Sequence, residues 1–240
     1  MSSFHPFKGK VSKHFGDRLS PEDAYLSYYD TRLTREDIDS IKDDWLTDNA
    51  IQFWCEYLEQ EKLKKEFPEA NIILLRPVMT YLLMFENDIR ALKTALPDLS
   101  KTTHVFLPVN DKHSVDQAGG THWSLLLVSI IDGVAFHYDS LASCNKIDAM
   151  SATRKLEQLI RKPLRFMEME DSPQQDNGSD CGVFVCILMK HLLLKRLLLT
   201  DARGKISMTM GDRQLNAWQG RKEMLKTIES FRKEGERRRS

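Results

Sequence analysis

The segment 181–199 constrains the fold more than any other stretch of this chain. Its first turns, from Cys181 through Met189, are apolar nearly all round. A surface helix carries a single apolar stripe, so a helix apolar on every side has to run through the middle of a core. Lys195 and Arg196 interrupt its two leucine runs, and no apolar run approaches the roughly 18 residues of a membrane span. The loop ahead of this segment holds Pro173, Asn177 and Gly178, so the helix starts abruptly with a cysteine at its first turn. A chain of 240 residues is long enough to build one substantial core around it.

The material for that core is legible upstream. Segments 104–109, 123–131 and 134–138 are rich in β-branched and aromatic residues and read as strands. Asp132-Gly133 between the last two is a two-residue hairpin signal. The run 125–131 is mostly apolar rather than alternating, which predicts a strand buried on both faces. Helical spacing marks Ile51, Phe53, Trp54, Tyr57 and Leu58, with Asp48 read as the cap, then a stretch opened by Pro77, then 147–160 and 215–231. Segments 72–75 and 164–169 are further short strand candidates. The expected class is α+β, with helices around a central, mostly antiparallel sheet. Residues 1–23 read as a loosely ordered lead, 24–235 as the folded domain and 236–240 as a charged, solvated tail.

Charge excludes one class of partner. Thirty-five basic residues balance 35 acidic ones, whereas phosphate-binding surfaces show a basic excess, so nucleic acid is not the expected partner; with no apolar run of spanning length, neither is a membrane. The four cysteines (Cys55, Cys144, Cys181 and Cys186) form no CxxC pair and no zinc-spaced set with histidine. No metal and no cofactor is expected. With no signal-like start, the thiols are expected to be reduced, in cytosol or nucleus, and the chain to be a monomer.

Three motifs carry chemistry. Gly119-Gly120-Thr121-His122-Trp123 delivers a histidine to the start of a strand, Asp139 ends the next strand, and Asp180-Cys181-Gly182 opens the buried helix. Only a thiolate attacks well, and a helix N-terminus with unpaired N–H groups favours it. His122 can take and return a proton, and Asp139 can fix the tautomer and orientation of His122. Gln175, ahead of the cysteine, can donate its amide N–H to a developing oxyanion, with the Cys181 N–H as second donor. His137 has little claim, on the reading that strand alternation turns it from the Asp139 face, and Cys186 reads as core. Acyl transfer on the same three residues, or a binding module without catalysis, are the rival readings.

Taken together these residues resemble the ubiquitin-like-protein proteases, the family of SUMO- and sentrin-specific enzymes. The likeness rests on His122-Trp123, Asp139, Gln175 and Asp180-Cys181-Gly182, in that order, and runs from near Ala24 to about Trp218. The stretches Val109-Asn110-Asp111, Gln117 to Leu126, and Phe136-His137-Tyr138-Asp139-Ser140 are most similar to the deneddylase branch. The resemblance implies a papain-like cysteine protease fold and cleavage after the C-terminal diglycine of a ubiquitin-like modifier, above all the neddylation modifier, with SUMO as the alternative. It implies that Trp45 and Trp123 cover the diglycine tail and that Asp48 meets an arginine in it. Gly119 and Gly120 count among the substrate-binding residues, beneath a movable flap. Two positions depart from the family pattern: Thr47 replaces the usual asparagine, and Ser179 the usual tyrosine.

Overall fold

The computed structural model describes residues 20–112, 119–199, 206–211 and 213–238. Most of the 1–23 lead, the flap segment 113–118 and Arg239 lie outside the described residues. Helix α6 (Cys181–His191) is the buried helix expected from its composition, and it continues into wider π-turns over Leu192–Leu198. Val183, Val185, Leu188 and Met189 are at most 1% exposed. Burial of such a side chain is worth about 1.5–3 kcal/mol against leaving it in water.

The sheet that covers α6 has five strands in sequence order: β3 (Ile72–Leu74), β4 (His104–Asn110), β5 (Trp123–Ser129), β6 (Val134–Tyr138) and β7 (Arg165–Glu168). The inner three pair antiparallel, whereas both edge strands pair parallel to their neighbours. Every residue of β4 and β5 is buried; the mostly apolar run predicted this for β5 alone, and its burial stops short of Ile131. Phe106, Leu125, Leu127 and Tyr138 face α6. Val105, Leu107, Leu126 and Val128 pack on the other side with Leu83 of α3 (Pro77–Phe85), Leu92 of α4 (Ile89–Ala95) and Ala152 and Leu156 of α5 (Lys146–Ile160). Helices therefore cover both faces.

The turn between β5 and β6 differs from the expected two-residue form. The last pair is Ser129 with Val134, so four residues turn, and Ile131 stands 66% exposed at the tip. Ser129 Oγ donates to Asp132 Oδ2 at 2.5 Å, closing the loop one step earlier than Asp-Gly alone predicts. Gly133 still supplies the positive φ, at 65°.

Ahead of the sheet lies a hairpin, β1 (Ala24–Tyr28) and β2 (Thr31–Thr34), followed by α1 (Arg35–Asp43) and α2 (Asp48–Tyr57), which widens into π-turns over Leu58–Lys64. Thr34 and Asp37 form a capping box that starts α1. Helix α7 (Ala217–Arg237) closes the structure against α1 and α6.

Gly182 shows how tightly α6 sits on the α1–α2 junction. A Cβ there would stand 2.9 Å from Leu46 Cβ and 3.4 Å from Ile51 Cδ1. Leu46 Cβ is fixed to the backbone and cannot swing away. Gly182→Ala is therefore expected to destabilise by about 1–3 kcal/mol through overpacking. Calorimetry should show a melting midpoint lower by several degrees, and an unchanged midpoint would contradict this packing.

Candidate active site

Three element ends meet at one end of the sheet. Cys181 begins α6, His122 immediately precedes β5, and Asp139 immediately follows β6. The last register pair of β5 and β6 is Leu125 with Tyr138, so both His122 and Asp139 lie past the ladder, where the chain is free to bend. His122 Nε2 donates to Asp139 Oδ1 at 2.6 Å. With Nε2 committed, Nδ1 is the ring nitrogen left for the Cys181 thiol, the second group that interacts with the imidazole. Cys181, His122 and Asp139 are 2%, 4% and 4% exposed.

Charge in this cluster is set by opposing effects. Burial favours neutral His122, but Asp139 and Cys181 outweigh it, and the imidazole is raised from its usual range to about 9. Burial also pushes the Asp139 carboxyl up. The His122 hydrogen bond and the backbone N–H groups of Asn145 and Leu141 more than reverse this and hold it below the ordinary carboxylate range. Those two N–H groups donate to Oδ2 and Oδ1, each at 2.9 Å.

The backbone of His122 is held as firmly as its ring. Asp111 Oδ1 accepts from the His122 N–H at 3.0 Å, and the His122 carbonyl accepts from Asn110 Nδ2 at 3.0 Å and Asn145 Nδ2 at 3.1 Å. Asn145 holds the N-cap position of α5, yet its side chain makes no capping bond and turns to His122 instead. The glycines explain themselves here. Gly119 has φ of +89°, and a Cβ on Gly120 would fall 1.8 Å from Asn110 Oδ1.

His137 stays out of this cluster for a reason other than alternation. Residues two apart in a strand share a face, so alternation alone would place it with Asp139. It lies two residues deeper, its Nε2 3.0 Å from Ser124 Oγ and its ring against Phe166 at 5.7 Å.

Gln175 stands in the loop ahead of α6, bound to the residue after Asp139. Its N–H donates to the Ser140 carbonyl at 2.9 Å, and its Oε1 accepts from Ser140 Oγ at 2.7 Å. One Nε2 hydrogen goes to the Asn177 carbonyl at 2.6 Å, and the amide carries a second. The neighbouring Gln174 donates to the Asp139 carbonyl at 2.9 Å. This pair ties the cysteine's loop to the carboxylate's.

The tryptophans differ in exposure. Trp45 is 46% exposed in the α1–α2 turn, which removes core packing as its role, while Trp123 is 6% exposed with Tyr81 at 6.2 Å between ring centroids. Asp48 is the first residue of α2 rather than its cap. The cap is Thr47, whose Oγ1 accepts from the Ala50 N–H at 3.2 Å and donates to Asp37 at 2.6 Å. Thr47 thus performs the capping an asparagine would perform. The Asp48 carboxyl is pushed up by burial, against the pull of Lys112. Ser179 is bent back by Asn177 Oδ1, which accepts from the Ser179 N–H at 2.9 Å.

A residue without any signal in the motifs completes the surroundings: Arg221 of α7, which is 5% exposed and bound to Asp180. All four cysteines are free. Among the described residues no three His, Cys, Asp or Glu side chains are grouped to hold a metal, and no helix is long and apolar enough to cross a membrane.

Comparison with known proteins agrees with this geometry. The profile of the Ulp1 protease family C-terminal catalytic domain matches residues 44–200. NEDD8-specific protease 2 of Schizosaccharomyces pombe is 32% identical over 211 residues, spanning 86% of this chain and 50% of that protein. NEDD8-specific protease 1 of the same yeast is 37% identical across 75% of this chain and 44% of its own length. The chain thus spans half or less of these two relatives. Human sentrin-specific protease 8 is 32% identical across 67% of this chain and 76% of that protein. Among solved structures, the C-terminal Ulp1 protease domain in complex with SMT3, the yeast ortholog of SUMO, superposes with a TM-score of 0.64. It has 17% identity and covers 96% of this chain and 99% of that one, a likeness of fold.

Proposed function

The chain belongs to the Ulp1 protease family, and from that premise we propose that it is a cysteine protease and isopeptidase acting on a ubiquitin-like modifier, with NEDD8 the preferred one. The observation that carries the chemistry is His122 bonded to Asp139 on one nitrogen and facing the helix-end thiol of Cys181 with the other. The preference for NEDD8 is supported by the relatives whose names carry that specificity, at 32% and 37% identity.

In this reading Cys181 Sγ, as thiolate beside the imidazolium, attacks the carbonyl carbon of the modifier's last glycine. The oxyanion that forms is met by the Cys181 backbone N–H, which has no acceptor within its own helix turn, and by the free hydrogen of Gln175 Nε2. The intermediate collapses with transfer of the His122 proton to the departing amine, leaving a thioester. Water then gives its proton to His122, attacks the thioester and frees the modifier's carboxylate and the thiol. Asp139 keeps its charge throughout and holds the ring. Trp45 and Trp123 flank the tail, where only glycine is thin enough to pass between indoles. An arginine of the tail meets the Asp48 carboxylate, Gly119 and Gly120 line the approach, and no metal or cofactor enters any step.

The test is a panel of NEDD8, SUMO and ubiquitin, each ending in a thiol-reactive group in place of the last glycine. Intact mass and peptide mapping are expected to find one NEDD8 adduct, on Cys181. Adducts with SUMO alone would leave the chemistry and overturn the modifier, and no adduct with any of the three would overturn the reading.

A further inference from the structure

We propose that Arg221 is a positioning residue that sets the spacing between the Trp45 side of the site and the Cys181 loop. The inference rests on the roles given above to Cys181 and Trp45. Arg221 projects from α7 and is 5% exposed. Its Nε and Nη2 donate to Asp180 Oδ1 at 2.9 and 2.6 Å, and Nη2 also reaches the Ser179 carbonyl at 3.2 Å. On the other side Nη1 donates to the carbonyls of Ser40 and Ile41 at 3.0 and 3.2 Å, and Nη2 to that of Asp44 at 2.8 Å. One of these groups adjoins Cys181 in sequence and another adjoins Trp45. The guanidinium is therefore a bridge between one segment that flanks a bound tail and the loop whose thiol attacks the end of that tail.

Several features make the bridge specific to arginine. The carbonyls of Ile41 and Asp44 belong to the end of α1, where helix geometry leaves acceptors unfilled and a cation is favoured, while the Ser40 carbonyl accepts from Arg221 in addition to the Asp44 N–H. Asp180 makes no side-chain cap on α6, and its other oxygen accepts from Asn177 Nδ2 at 2.7 Å, so its carboxylate is aimed across the junction. Serving both sides at once requires a planar fork of five donors, which lysine lacks. Close approach of the helices makes the reach possible: a Cβ on Gly220 would lie 2.6 Å from Ile187 Cδ1 and 3.0 Å from Val183 Cγ1. The His122–Asp139 pair shares none of these contacts, so the bridge governs where the tail lies relative to the thiol and leaves the reactivity of the thiol alone.

The experiment compares native protein and Arg221→Lys in two assays: cleavage of NEDD8 carrying a C-terminal reporter amide, and alkylation of Cys181 by iodoacetamide followed by peptide mapping. Cleavage is expected to fall about 10- to 100-fold in kcat/KM, the range for a displacement near 1 Å, while alkylation stays within about threefold of native. Near-native cleavage by the variant, or alkylation falling in step with cleavage, overturns the bridge while leaving the protease reading intact. A native chain inert toward the substrate overturns that reading and the bridge with it. Should Arg221→Lys fail to fold, Asp180→Asn, which retains an oxygen at the same reach, is scored by the same two assays.

Discussion

A Cys181→Ser chain is expected to hold a NEDD8 tail and leave it uncut. A serine hydroxyl ionises far less readily than a thiol, so beside a buried imidazole it supplies almost no anion at neutral pH. Loss of a nucleophile from a cooperating set costs on the order of 10⁴-fold or more in kcat, because the remaining members have nothing to activate. The substitution changes one atom at a site 2% exposed and keeps the α6 N-terminus, where serine is well tolerated. Binding of uncleaved NEDD8, followed by calorimetry, should therefore stay within about tenfold of native. No other buried thiol can take over, since burial pushes Cys55 to about 12 and Cys186 well above the ordinary thiol range. Cys144 is exposed, so labelling has to be mapped by peptide rather than counted. Cleavage by the serine form within tenfold of native would refute Cys181 as the nucleophile.

Much of this site could be read from sequence because its members stand where strong local signals end. Cys181 opens a helix whose all-round apolarity needs no partner to be recognised, and His122 and Asp139 bracket a hairpin marked by Asp132-Gly133. What holds these residues could not be read. Asn145 carries no motif signal, and only the folded chain brings the Val109 and His122 carbonyls, 36 and 23 positions earlier, to its amide. Arg221 lies on an amphipathic helix, where an arginine reads as solvated. Its burial depends on carbonyls 177 to 181 residues away. The β1–β2 hairpin turns at Tyr29 with a φ of 48° and no glycine or asparagine, so the usual turn signal is missing. Parallel pairing of β3 and β7 at the sheet edges is likewise a property of the crossovers, on which strand composition is silent. Local patterns thus mark the candidate reacting groups, and long-range polar contacts hold them in place.

Asp139→Asn is expected to keep the fold and lower kcat by about 10³- to 10⁴-fold, the scale seen when a triad carboxylate is made neutral. Asp139 accepts three hydrogen bonds, from His122 Nε2, the Leu141 N–H and the Asn145 N–H. Asparagine offers one oxygen and two donor hydrogens, so at least one N–H would face another donor. His122 would lose its charged partner while remaining buried, and burial alone favours the neutral ring. The alkaline limb of kcat/KM, expected near pH 9 in the native protein, should move to lower pH in the variant. Stability should follow the same titration. Because the folded-state value of His122 is raised, its contribution is fully present below the unfolded-chain value of about 6.5 and is lost as pH rises through about 9. Urea unfolding should therefore show a larger penalty for Asp139→Asn at pH 6 than at pH 10. A variant with the native alkaline limb, or a penalty that grows with pH, would show that Asp139 does not hold the proton on His122.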